Sequence, residues 1–147
     1  KMDLLIIEQK FKQSLESNNM ILAEEAMQEM YEIGVKMEFL PYLNNLLVTI
    51  GHTRHEDIAR SLQELKDVSS IEVLYKTATL KLVYLEYDNS EALARKCTWA
   101  LADIGSDTAK EYLIELSKSN DQPIASFAQK RIDNWNSEIS RKGNNNS

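Results

Sequence analysis

A single glycine between two apolar helical stripes constrains this chain more than any other feature. From Ser90 to Ile104, the residues Leu93, Cys97, Ala100, Leu101 and Ile104 fall at offsets of four, three, one and three, which is one face of a 3.6-residue period. Gly105 follows, and glycine closes helices because it takes left-handed backbone without a Cβ penalty. Ser106-Asp107 then offer N-capping oxygens to a second helix, whose Ala109, Tyr112, Leu113 and Leu116 share one face. With so few residues between them, the two helices are expected to fold back as an antiparallel hairpin with facing stripes.

The rest of the chain reads in the same alphabet. Four Gly and two Pro leave few breaks, and no run alternates apolar and polar residues, so the class is all-α. The first helix runs from Asp3, its cap, to Ser17, with Leu4, Ile7, Phe11 and Leu15 on one face. Leu5 and Ile6 widen that face and are expected to pack as a terminal cap on the second helix, a sticky dimerising edge being the alternative. The second helix follows Asn18-Asn19 and ends at Gly34. The third spans Glu38 to Ile50, with Pro41 in its first turn and Phe39, Leu43, Leu46, Leu47 and Ile50 apolar. The fourth runs from His55 to near Lys66. The fifth, from Ser70 to Tyr87, is expected to be the longest and the central helix, with Leu74, Ala78, Leu82 and Leu85 in line. Asp88-Asn89-Ser90 break it and cap the sixth. Asp121 caps an eighth helix with Pro123 in its first turn, and Trp135 is expected to seal the C-terminal end with Phe127, Ala128, Ile132 and Ile139. The sum is about eight antiparallel helices in one domain over 1–140, followed by a disordered tail over 141–147 that carries no apolar residue.

Ala94-Arg95, then Ala100 to Asp107, Ala109, and Leu113-Ile114-Glu115-Leu116 resemble the short HEAT-like repeat that also occurs in bilin lyases. Leu46 to Gly51, followed by Ile58, Leu62 and Leu65, is similar to the same helix-Gly-helix unit. The resemblance implies hairpins stacked into a short α-α superhelix, since one hairpin cannot bury both its faces alone. It also implies that Arg95 belongs to a ladder pairing with acidic positions of neighbouring repeats.

At 147 residues the chain is long enough to bury about two thirds of its unfolded surface without metal or disulfide. Its one Cys and the lack of a signal peptide or long apolar run fit a cytoplasmic protein with no membrane contact. Met2 is expected to be the start of a self-contained protein, with Lys1 an added residue. Cys97 lies on an apolar stripe and reads as a small buried hydrophobe rather than a nucleophile. His52, His55, Glu56 and Asp57 form the one His-carboxylate cluster. HEAT-repeat hydroxylases bind iron through His-Glu pairs from several repeats, whereas this chain has a single pair, His55-Glu56. No metal or other cofactor is therefore expected, and His55→Ala should cost little stability. Glu56 and Asp57 more simply complement a helix dipole.

Acidic residues outnumber basic ones by 23 to 17, for a net charge of −6, and no helix carries a basic face, so nucleic acid is not expected as a partner. Glu25, Glu29 and Glu32 share one side of the second helix, with no Lys or Arg between Lys12 and Lys36 to neutralise them. Such a stripe is a solvated face or the mark of a cationic partner. If the second, fourth and seventh helices line one side of the stack, then Glu25, Glu29, Glu32, Asp57, Glu64, Glu111 and Glu115 form one partner-binding surface, with Arg60 and Lys110 as basic exceptions. Trp99 either fills a groove between units or anchors a partner, packing being favoured. Size, charge and the absence of a catalytic constellation resemble small acidic bacterial immunity proteins. The expected function is that of a non-catalytic protein-binding module that neutralises a basic toxin, such as a nuclease, as a monomer or weak dimer. The alternatives are a HEAT-like adaptor or assembly subunit, and a HEAT-like lyase- or hydroxylase-type enzyme.

Overall fold

Helix caps written into short stretches of sequence set the element boundaries. The computed structural model describes residues 3–87 and 91–137. Among them there is no strand, and the α-helices are α1 (Leu4–Ser17), α2 (Met20–Ile33), α3 (Leu40–Leu47), α4 (His55–Leu65), α5 (Ile71–Ala78), α6 (Ala92–Ile104), α7 (Asp107–Ser117) and α8 (Gln122–Asp133), with helical backbone again over 135–137. The chain is thus all-α, as its periodicity predicts. Asp3, Asn19, Ser106 and Asp121 each accept a hydrogen bond from a backbone N–H of the first turn that follows, satisfying donors a helix cannot satisfy itself. Left-handed backbone at Asn18, Lys66 and Gly105 ends α1, α4 and α6.

The helices pack as four pairs, α1 on α2, α3 on α4, α5 on α6 and α7 on α8. α3, α5 and α7 touch in one layer, and α4, α6 and α8 in a second. α1 joins the first layer through Phe11, whose ring stacks on Tyr42 at 5.5 Å and meets Phe39 at 5.8 Å. α2 joins the second through a 3.1 Å hydrogen bond between the Tyr31 and Ser61 hydroxyls. One hydrophobic core runs between the layers. The pair expected around Gly105 does touch, but α6 packs more extensively on α4 and α5, and α7 on α8. The pairing frame is therefore displaced by one helix.

Several expectations are corrected. The fifth helix stops at Ala78 rather than Tyr87, and the longest are α1 and α2. Thr79 turns its hydroxyl onto the Lys76 carbonyl at 3.1 Å, Lys81 is drawn to Glu91 and Asp121, and Leu82 reaches the core from extended backbone. Leu82 and Leu85 match a helical period without being helical. The central helix is α6, which contacts α4, α5, α7 and α8 and buries seven residues. The third helix is a 3-10 turn, Met37–Phe39, leading into α3, with Pro41 in the first turn as expected but Ile50 exposed. Leu5 and Ile6 are exposed instead of packing on α2. The expected cap Asp88-Asn89-Ser90, Met2, Ile139 and the tail 141–147 lie outside the described residues. No helix among the described residues is long and apolar enough to cross a membrane.

Candidate functional site

The acidic side chains predicted to form one surface divide into three settings. On α2, Glu25 and Glu29 are not uncompensated: Lys10 of α1 donates to Glu29 Oε2 at 2.7 Å and lies 3.6 Å from Glu25. The carboxylates hold the Lys10 ammonium above its ordinary pKa, the Glu29 hydrogen bond first among the causes. Reading along one helix missed a cation supplied by its neighbour. Glu32 alone of the three stands exposed with no ion pair among the described residues.

α4 supplies the second setting. Tyr31, Val35, Asp57, Arg60, Ser61 and Glu64 line a groove of about 310 Å³ between α2 and α4. Burial raises the Tyr31 hydroxyl above its usual pKa, and the nearby Asp57 and Glu64 carboxylates push the same way, against the Ser61 hydrogen bond and Arg54. Arg54 lies 3.8 Å from Asp57 and 3.4 Å from Glu24. Arg60 and Glu64 continue into a second depression with Gln63, Lys66 and Asp103, where Gln63 donates to Asp103 at 2.8 Å.

Glu111 and Glu115 are elsewhere. They border a depression on α7 with Thr108, Tyr112 and Ile114, and α7 belongs to the layer of α3 and α5, as the Tyr75–Tyr112 ring contact at 4.6 Å shows. The single seven-carboxylate face is therefore corrected: Asp57 and Glu64 line the α2–α4 groove, Glu32 falls on the face of α2 that carries Glu25, and the α7 pair belongs to the layer of α3 and α5. The cause is the displaced pairing frame, which puts α6 rather than α7 beside α4.

Trp99 packs. The Arg131 guanidinium lies 3.5 Å from the centre of its indole, and Arg131 is itself buried. Trp135 packs against the core with Lys110 5.5 Å above its ring. Arg95 makes no ion pair among the described residues and lies over Phe127 instead. The cross-hairpin pair forms one residue later, Lys96 to Glu56 at 3.0 Å.

The groups most suited to chemistry are occupied structurally. Arg54 N–H donates to His52 Nδ1 at 3.0 Å, which leaves His52 Nε2–H to donate to the Leu46 carbonyl at 2.8 Å. His55 Nε2–H donates to the Thr49 carbonyl at 2.7 Å, and its Nδ1 accepts from the Tyr84 hydroxyl at 2.7 Å. Both imidazoles are thereby set as neutral Nε2–H tautomers with no ring lone pair left over. Burial lowers both pKa values; for His55 burial and the adjacent His52 bring it to about 4, against the Thr49 hydrogen bond. Cys97 is fully buried, which pushes its thiol far up, and a protonated thiol is a poor nucleophile. Among the described residues no group of three His, Cys, Asp or Glu could hold a metal ion. Sequence reasoning found the histidines but missed Tyr84, because its partner stands 29 residues away with no periodic signal linking them.

No protein-family model matches the chain, and no curated protein matches it.

Proposed function

We propose that this chain is a non-catalytic protein-binding module for a basic partner, and that its most specific form is an immunity protein that neutralises a basic toxin. The observation that carries the reading is the groove between α2 and α4, where Asp57 and Glu64 flank Tyr31 with Glu32 exposed on the same helix as the tyrosine. An aromatic ring with carboxylates around it suits a lysine or arginine side chain, which gains from both. The net charge of −6 would steer such a partner toward the chain. The HEAT-like resemblance fits this reading, because stacked hairpins present extended surfaces for partners.

The test is association with the protein encoded beside this one, measured over a salt series with the double reversal Glu32→Lys and Glu64→Lys. Both side chains are exposed, so the fold should be unchanged. Association at low salt should slow by about tenfold or more, with dissociation less affected. If the double variant associates and protects as well as the parent, the groove is a solvated face. An adaptor or assembly subunit is the second reading, favoured by the apolar side chains left exposed at the hairpin turns.

A further inference from the structure

The turns inside the first three helix pairs stand side by side along one edge. Gly51 sits against α2 so closely that a Cβ there would lie 3.1 Å from Met20 Cγ. Thr53 N–H donates to Glu24 at 3.0 Å. His55 meets the Tyr84 hydroxyl through both its ring and its backbone N–H. Along this edge Ile21 is 87% exposed, Ile50 70%, Val83 80% and Tyr87 86%, with Val48 and Tyr84 half-exposed beside them. Scattered apolar residues on a surface need no explanation, but exposed apolar side chains at each of three adjoining turns suit a contact surface.

The charges around this row have one sign to spare. Arg54 is held by Glu24 and Asp57, Lys81 by Glu91 and Asp121, and Lys96 by Glu56, while Glu86 adds an exposed carboxylate. These three cations are engaged; Arg95, exposed near the start of α6, has no ion pair among the described residues, and the six carboxylates still outnumber the four cations. The Tyr84 hydroxyl registers the imbalance: after burial, Glu56, Glu24 and Asp57 push its pKa upward, the His55 N–H opposing them.

We propose that this hairpin-turn edge docks a basic amphipathic segment of a partner protein, its apolar face covering Ile21, Ile50, Val83 and Tyr87 and its Lys or Arg flank meeting Glu24, Asp57 and Glu86. The inference rests on the protein-binding reading; the turn edge shares Asp57 with the α2–α4 groove but does not use Glu32 or Glu64. A second copy of this chain would set carboxylates against carboxylates, and an anionic membrane surface would be repelled.

The test uses the full chain and a synthetic amphipathic helix of Leu and Lys, with a scrambled isomer of equal charge. Amide and methyl resonances should shift at Ile21, Ile50, Val83 and Tyr87 with saturation. The combined variant Ile21→Ser, Ile50→Ser, Val83→Ser should melt like the parent, since all three side chains are exposed, yet bind the peptide at least about tenfold more weakly. The Glu32→Lys, Glu64→Lys variant should still bind it, so failure of the groove and failure of the edge are read separately. The proposal is overturned if the scrambled isomer binds equally or the serine variant binds like the parent. Shifts gathering at Tyr31 and Glu64 would overturn it as well. So would a dimer in sedimentation that the serine variant abolishes, or binding of the parent to uncharged lipid vesicles that this variant loses.

Discussion

The imidazoles of His52 and His55 stack with centroids 4.0 Å apart and planes 13° from parallel, neutral and buried where α4 begins. Because the folded pKa of His55 is about 4 against about 6.5 in the unfolded chain, the unfolded state binds more protons between these values. Stability is therefore complete above pH about 6.5 and falls as pH drops toward about 4, by about 3 kcal/mol from His55 alone, with His52 acting in the same direction. Denaturant titrations at a series of pH values should show this decline, and His55→Gln should flatten it. A parent profile that is level across the window would refute the assignment. At neutral pH His55→Ala should cost about 2–4 kcal/mol through lost packing and orphaned partners, contrary to the small cost expected from sequence.

Two glycines should differ in their tolerance of a methyl group. Gly105 has φ 71° and ψ 13°, a left-handed cap at which alanine costs about 1 kcal/mol. Gly51, at φ 107°, also faces Met20, so Gly51→Ala should cost more, about 2 kcal/mol or above. Thermal melts of the two variants rank them directly; an equal loss would mean that Met20 moves aside.

The Arg131 guanidinium carbon sits 3.5 Å from the centre of the Trp99 ring, and Arg131 is buried. Arg131→Met should lower stability by about 1–2 kcal/mol. Arg131→Lys should recover little of it, because an ammonium does not stack as a planar guanidinium does. Denaturation followed by circular dichroism distinguishes this from a purely electrostatic contact, in which lysine would restore the parent value.

Cys97 should resist a thiol reagent until the molecule opens. Its labelling rate should follow the population of open states as denaturant rises. Rapid labelling of the native protein would contradict its burial on α6.

The fold was legible where its signals are local. Asp3, Gly34, Ser106, Gly105 and Asp121-Pro123 act on backbone groups within a turn of themselves, and each does what its chemistry predicts. What depends on distant partners was not. Leu82 satisfies a helical period from Leu74 and Ala78, yet Lys81 finds carboxylates on two other elements and the chain leaves the helix. Glu29 looked unpaired because Lys10 belongs to the preceding helix. The acidic surface failed as a unit for the same reason: which helix lies beside α4 is decided by packing, and Glu111 and Glu115 follow α7 to the other layer.

Beyond the core it shares with the other helices, the first helix pair is fastened to the rest by a short inventory: Phe11 against Phe39 and Tyr42, Tyr42 to Glu8, Met20 against Gly51, Tyr31 to Ser61, and Glu24 to Thr53 and Arg54. α6, by contrast, is gripped by four helices. The molecule thus has a seam between Ile33 and Leu40, and thermal fluctuation should part it there first, lifting α1 and α2 away together while α4, α6 and α8 stay closed. Amide hydrogens of the opening half would exchange as one set, well ahead of those on α6, and the freed Met27 and Met30 would make that transient species the one most prone to stick to other chains.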